Sequence, residues 1–498
     1  MNMLKPACYR LTIVFSFCLI VFIPPLFGNC CETVNSSSQI FNGDSSISRC
    51  PTYVLDNTKE IESQVNKQNT IYEIRDIIDL KGKCISMPKG CSLYFNGGGF
   101  LNGAMKGSYT RIVAPYGKVF GDKFSLSGSF LSDVIKVSWW ATLGASDNTS
   151  EVQQAFNSIA AFINRCFVFD IPVRITDVSY ALNYFPGTTF SGVSNSHQNN
   201  CAITVFGKNS QGIDISGTEI LQFYNFLIQG DINNPPKTLI YASRLVDNKQ
   251  TNKHCFRNVS FRGEVTKAFV YNYGGEEWTL ENCEFNYSGK NSVVALFYAT
   301  SINAGKLESK FAKSEKRITS ITYSTFNQCH FVNSAYGPIV YFEGGVNKVN
   351  NIFTIASIYF NQCYFNSRVG SSVKFKDVSG AISFINNIDE SGAVNAEKRR
   401  NPFYEFEGEL KIDGLVFINN TYYAKNETPI ITATPLVENY FASSNKVVNN
   451  GAIWSFNKMK CGTHLGLSKR ERFVINDSSE DVEVHNGEGN KSNIIINQ

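Results

Sequence analysis

The sequence predicts an all-β protein, a parallel β-helix solenoid with a capping α-helix on its N-terminal side. Three observations predict it: a short phrase that recurs, an amide or small residue inside that phrase, and no helical periodicity between its copies. The phrase appears as Phe256-Arg257-Asn258-Val259-Ser260-Phe261, then as Leu280-Glu281-Asn282-Cys283-Glu284-Phe285. It returns as Phe326-Asn327-Gln328-Cys329-His330-Phe331, Phe360-Asn361-Gln362-Cys363-Tyr364-Phe365 and Ile412-Asp413-Gly414-Leu415-Val416-Phe417. A looser copy starts at Leu221. The closing Phe residues, at 226, 261, 285, 331, 365, 384 and 417, are 19 to 46 residues apart. Such a period belongs to repeats that each bury an apolar face against the next.

Each phrase reads as a bend followed by a strand. Its last two apolar positions are two residues apart and share one face of an extended chain. The amide before them suits a bend, where it tolerates left-handed φ and can satisfy backbone groups. Phe261, Phe285, Phe331, Phe365 and Phe417 are therefore expected to stack inside as one ladder. An ordinary β-sandwich is the competing arrangement.

Composition agrees with a large core. The chain has 498 residues with 39 Phe and 23 Tyr, and only 18% of residues are charged, so disorder over most of its length is excluded. A net charge of +4, with no long basic stripe, gives no support for nucleic acid as a partner. Residues 1–28 have the make-up of a secretory signal: Lys5 and Arg10, an apolar run from Leu11 to Phe27, and Gly28 at the cut. An uncleaved anchor is the alternative. Cys30 and Cys31 follow directly, where a lipid could be attached, although Asn29 fits that signal poorly. No other stretch is apolar enough to span a membrane. The chain is thus expected to be secreted or held at the cell envelope.

Residues 29–70 read as a polar tether and 71–137 as a Gly-rich β segment. Residues 138–165 hold the capping helix, 166–474 the β-helix with loop insertions, and 475–498 a polar tail. The helix starts at Asn148 with Glu151 three residues on, and Val152, Ala155, Phe156, Ile159 and Ile163 recur at helical spacing. Residues 231–252, 286–318 and 388–410 read as loops. Loops on a solenoid commonly share one face.

Of 14 Cys, two lie in the leader. Cys283, Cys329 and Cys363 share the rung position of Val259 and Leu415 and are expected to be buried free thiols. Cys84 and Cys91, across a Pro-Lys-Gly turn, are the pair best placed for a disulfide. Five scattered His and the lack of C-x-x-C spacing give no support for a zinc site, and no metal or cofactor is expected.

The stretch Trp139-Trp140-Ala141-Thr142-Leu143-Gly144-Ala145-Ser146-Asp147-Asn148-Thr149 through Gln154-Ala155-Phe156 resembles the lead-in of the pectate-lyase-like, right-handed parallel β-helix superfamily. Those proteins carry an aromatic-Gly-Ala, Asp-x-Thr, Gln-x-Ala phrase before a capping helix. Ile85 to Gly103 is similar to the Gly-rich lead-in of exported proteins of this type from Bacteroides-like bacteria. The resemblance covers about residues 71–420, and the usual Gly-Asp-Gly run is missing. It implies a right-handed solenoid and a polysaccharide partner, since members include pectin and rhamnogalacturonan enzymes and tailspike glycosidases. The polygalacturonase signature is not carried over: the chain has no Asp-Asp and no His-Gly. Asp is too sparse in the rungs for the lyases' Ca²⁺ cluster.

The candidate site is Tyr271-Asn272-Tyr273-Gly274-Gly275-Glu276-Glu277-Trp278, between two clear rungs. Tyr271, Tyr273 and Trp278 offer faces for sugar rings, and Glu276 and Glu277 are the candidate catalytic carboxylates. The competing reading puts Trp278 in the core and the two Glu on opposite sides. Glu343, Asp377 and Arg262 are weaker candidates. Two functional classes follow: a protein that binds a polysaccharide, with or without cleaving it as a lyase or glycoside hydrolase, or a non-catalytic structural or adhesive rod at the cell surface.

Overall fold

The structure is a computed structural model. It describes residues 50–496 apart from 116, 181–186, 193–201, 226, 244–250, 288, 290–292, 302–320, 334–336, 345–354, 368–369, 392–400, 425–427, 449–450, 468–470, 479–481 and 487–493. The leader and the cysteines expected to carry a lipid lie outside these residues.

The chain winds into a right-handed parallel β-helix. One coil serves as the pattern: Thr279–Glu281 in sheet A, Glu284–Tyr287 in sheet B and Phe297–Thr300 in sheet C. Each strand pairs in parallel with the strand one coil away, as Glu284–Tyr287 does with Ser260–Gly263 and His330–Asn333. Sheet A runs from Cys166–Phe169 to Gly414–Ile418, and sheet C from Val178–Ser179 to Tyr404–Glu407. Among the described residues sheet B has ten strands, from Val173–Ile175 to Lys446–Val448. Near the C-terminal end one long strand, Thr428–Ser443, continues sheet C into sheet A.

The A–B corner shows why the phrase recurs. Asn225, Asn258, Asn282, Gln328, Gln362, Asn386 and Asn419 each adopt left-handed φ between 51° and 57°. Amides tolerate that conformation and bond their neighbours along the stack: Asn258 Nδ2 donates to Asn225 Oδ1 at 3.0 Å, and Gln328 Nε2 to Gln362 Oε1 at 2.9 Å. The next residue turns inward. In successive coils it is Val259, Cys283, Cys329, Cys363, Asn387 and Asn420, all 0–1% exposed. Each thiol donates to a sheet A carbonyl of the preceding coil at 3.4 Å: Cys283 to Phe256, Cys329 to Leu280, Cys363 to Phe326. Asn387 and Asn420 make the same bond with their amides, to Phe360 at 3.1 Å and Phe384 at 2.9 Å. The thiols are free, and burial pushes those of Cys283 and Cys329 well above their ordinary range.

The expected single Phe ladder is two. Phe261, Phe285, Phe331 and Phe365 stack in sheet B with ring centroids 4.7–5.2 Å apart. Phe417 belongs to sheet A, 5.0 Å from Phe384, in a ladder with Phe360 and Phe326. The corner of that coil is Asn419, not Gly414, so Leu415 is a sheet A residue and does not share the thiol position. In sheet B, the column passes from Phe365 to buried Asp389 and then Tyr422. Burying each Phe is worth about 2–3 kcal/mol.

The helix Thr149–Ser158 buries Val152, Ala155 and Phe156, and Ile159 follows in a 3₁₀ turn. Phe156 packs edge-on against Phe167, Tyr180 and Phe190 of the first rungs. Ile163 is 52% exposed and lies beyond the helix. Asp147, rather than Asn148, takes the first helical N–H, from Thr149 at 2.8 Å, while Asn148 Nδ2 donates to Glu151 at 2.8 Å. Gln154 bonds backward to the Gly121 carbonyl, so the helix is bordered on that side by an N-terminal parallel sheet.

Several expected boundaries move. Thr52–Val54 pairs with Ile71–Ile74, and Leu55, Ile61 and Val65 are buried, so the tether does not extend to residue 70. Strands Val482–Asn486 and Ile494–Ile496 carry the solenoid into the expected tail. The expected loops contain sheet C strands at Thr238–Ser243, Phe297–Thr300 and Tyr404–Glu407. Cys84 is exposed and Cys91 is buried with its thiol donating to the Lys67 carbonyl at 3.2 Å; both are free, so the expected disulfide is not formed.

Candidate functional site

The coil corner between sheets C and A dismantles the aromatic-acidic loop read from the sequence. Ile220, Lys253, Glu277, Tyr323 and Ser357 hold left-handed φ of 55–59° at this corner in successive coils. The residue after each, Leu221, His254, Trp278, Ser324 and Ile358, points inward and is 0% exposed. Trp278 is therefore a core residue. Its Nε1 donates to the Thr251 carbonyl at 3.0 Å, and its ring lies 5.7 Å from Phe256. No sugar can reach it, which corrects its expected role. Glu277, as the bend residue, points outward, is exposed, and sits 3.8 Å from Lys253. Glu276 is half-buried, its N–H donating to Asn252 at 3.1 Å and its carbonyl accepting from Lys253 N–H at 2.9 Å. Asn272 closes the Gly274-Gly275 turn, accepting from Gly275 N–H at 2.7 Å and donating to its carbonyl at 3.0 Å.

Tyr271 lies elsewhere, on the outward face of sheet C, and it has company. Register places Tyr241, Tyr271, Tyr298 and Tyr341 side by side on four consecutive coils. Their ring centroids are 5.5, 5.2 and 5.3 Å apart, with planes within about 30° of parallel. Lys374 continues the column, its ammonium 6.0 Å from the Tyr341 ring, and Glu405 follows. Over the middle of the column Lys267 Nζ sits 3.9 Å from the Tyr271 ring and 5.6 Å from that of Tyr298. Tyr273 is on the same outward face, one column over and 4% exposed; within the column Tyr298 is nearly as covered at 8%, while Tyr241, Tyr271 and Tyr341 are half-buried. The Tyr273 column continues through Thr300, Glu343, Lys376 and Glu407.

Charges fix the strip's far end. Tyr298 donates its hydroxyl to Glu343 at 2.5 Å, and Glu343 pairs with Lys376 at 3.2 Å. Lys374 lies between Glu405 and Glu407, at 3.4 and 2.9 Å. Burial pushes the Glu405 carboxyl above its ordinary range, while Lys374 holds that of Glu407 below it. Burial, then the neighbouring Tyr241 and Glu343, raise the Tyr271 hydroxyl, so it stays protonated and can donate. The arrangement is an aromatic wall with carboxylates and ammoniums at its margin, suited to a ring with apolar faces and polar edges.

The weaker candidates divide. Glu343 belongs to the strip. Arg262 is on sheet B, paired with Glu284 at 2.6 Å. Asp377 is structural: it has left-handed φ of 50° and accepts from Glu409 N–H at 2.9 Å. Among the described residues no group of His, Cys, Asp and Glu could hold a metal ion.

The strip had a signal in the sequence. Leu239-Ile240-Tyr241, Phe269-Val270-Tyr271, Leu296-Phe297-Tyr298 and Ile339-Val340-Tyr341 are four copies of one apolar-apolar-Tyr phrase. The stretches between the copies differ in length and hide their register.

No family model and no curated protein matches this sequence. Among solved structures it is similar to tailspike protein 2 of Escherichia coli O157:H7 bacteriophage CAB120, at 9% identity and TM-score 0.38, over 70% of this chain and 46% of that one. It is also similar to PfbA, a surface adhesin of Streptococcus pneumoniae, at 11% identity and TM-score 0.30, over 82% and 85% of the two chains. A third is the catalytic unit of a GH87 alpha-1,3-glucanase from Streptomyces thermodiastaticus, at 10% identity and TM-score 0.21, over 83% and 64%. The chain spans about half the length of the tailspike. At this level the likeness concerns the path of the chain and brings no activity with it.

Proposed function

We propose that this β-helix binds a polysaccharide, which lies along the helix axis on the outer face of sheet C. The observation that carries the reading is the column of Tyr241, Tyr271, Tyr298 and Tyr341, four rings in register on one outward face. The column is roughly 15 Å long, from a strand spacing of about 4.8 Å. The rings stack on one another, so sugars meet their outer edges and hydroxyls while Glu343 and Glu405 accept hydroxyls at the margin. The leader of residues 1–28 delivers the chain to the envelope or beyond it, where such ligands are met.

The reading is one of binding. Glu276 and Glu277 lie at the neighbouring corner, outside the column, and a catalytic pair would have to converge on one glycosidic bond. Their role in cleavage is a separate proposal, tested by product analysis on any bound glycan. The binding claim is tested by screening the mature protein, and its Tyr271→Ala, Tyr341→Ala double variant, on a glycan array. Binding by the first and not the second supports the reading; equal binding by both removes the strip from it.

A further inference from the structure

We infer that the glycan carries an anionic group, carboxylate or sulfate, seated on the side of the strip bordered by Lys237 and Lys267; this rests on the binding reading above. The two lysines occupy adjacent coils at the start of sheet C, where Lys267 N–H donates to the Lys237 carbonyl at 3.0 Å. Among the described residues neither ammonium has a carboxylate within ion-pair distance. The strip's other ammoniums do: Lys374 has Glu405 and Glu407, and Lys376 has Glu343. Like charges on adjacent strands repel, and a half-buried ammonium loses hydration that only an opposite charge or an aromatic face can replace. Lys267 has the aromatic face, resting on Tyr271 and Tyr298. Burial and the neighbouring Lys237 both lower its pKa.

An anion placed between the two ammoniums relieves their repulsion and gains charge-assisted bonds to both. Tyr271 holds Lys267 from one side, so the cation is positioned before the ligand arrives. The far end, where every charge already has a partner, offers hydroxyl acceptors and suits uncharged sugars. The strip is therefore asymmetric, with the ligand's anionic unit beside Tyr271, where Lys267 rests, and its neutral units toward Tyr341, where Lys374 is already paired. An ammonium is a point charge without the planar fork of arginine, so carboxylate and sulfate both fit it.

The test is an array of oligosaccharides in which each neutral sequence is paired with its uronate and its sulfated counterpart. Wild type, Lys267→Gln, Lys237→Gln and Tyr341→Ala are compared, with Lys106→Gln as an exposed lysine on the N-terminal sheet. The inference expects the anionic members to bind wild type more tightly than the neutral ones. Lys267→Gln should weaken them about tenfold, as for a lost charge-assisted hydrogen bond, and flatten their salt dependence. Lys106→Gln should change nothing. The uronate and sulfate arms report which anion is taken. Equal binding of neutral and anionic members, or anionic binding unchanged in Lys267→Gln, overturns the inference; loss of neutral binding in Tyr341→Ala would then leave the strip intact. A wild-type protein that binds no member of any pair overturns both.

Discussion

The A–B corner and the outer face of sheet C are laid down by the same coil repeat, but they use it differently. At the corner every repeated side chain is consumed by the fold: Asn258 and Asn282 bond one another across coils, and the thiol or amide that follows bonds a carbonyl of the previous coil. On sheet C the inward residues Val270, Phe297, Val340 and Val373 already fill the core, and the tyrosines between them point out. Repetition inward is what a solenoid requires. Repetition of a large aromatic outward is not, since a stable rung needs only a soluble outer face. The difference separates residues that hold the rod from residues that use it.

That separation can be broken by stability measurements. Phe331→Ala, inside the sheet B ladder, should cost about 3–5 kcal/mol in chemical denaturation, as for a buried aromatic. A comparable loss in Tyr341→Ala would erase the distinction between the regions. Asn420→Ala should cost about 2–4 kcal/mol, because it strands the Phe384 carbonyl and two Asn387 donors that its amide now satisfies.

The C–A corner gives a pH test. Buried His254 is held neutral by desolvation, its pKa lowered from 6.5 to about 3, and His464 is lowered to about 4. Between those values and 6.5 the unfolded chain binds more protons than the folded one, so stability is full above 6.5 and falls as the pH is lowered. Each histidine should contribute a slope of up to about 1.4 kcal/mol per pH unit in that window. His254→Met should flatten the denaturation-midpoint profile by about one proton; an unchanged profile would mean the imidazole is not desolvated. The smallest effect is chemical. With no reductant present, Cys283, Cys329 and Cys363 should resist alkylation in the folded protein at pH 8 and all react once unfolded. Rapid native labelling, or a disulfide between any two, would contradict the shared inward register.

The legible part of the sequence was the part the fold consumes. Asn258, Asn282, Gln328 and Gln362 mark bends because few other residues tolerate left-handed φ, and the Phe three positions on marks the rung. The same phrase misled at Phe417, where Gly414 imitates a corner that belongs to Asn419. Trp278 was misread because its orientation follows from Glu277 taking a left-handed bend, a conformation nothing in a glutamate announces. Sheet C was read as loops because its strands are short and carry Tyr, Lys and Glu on alternate positions. Of the expected site, Tyr271 lines the strip and Tyr273 is covered in the column beside it. The strip's other members come from three different coils and meet only through register.

The most direct measurement is calorimetric affinity for the tightest glycan from the array, made on Tyr271→Ala, Tyr341→Ala and Trp278→Phe, each with its folding midpoint. The account predicts losses of about ten- to a hundredfold in the two tyrosine variants, the scale of an interface hot spot, at near wild-type stability. It predicts wild-type affinity in Trp278→Phe with a lowered midpoint. Unchanged affinity in both tyrosine variants, or a loss confined to Trp278→Phe, would contradict it.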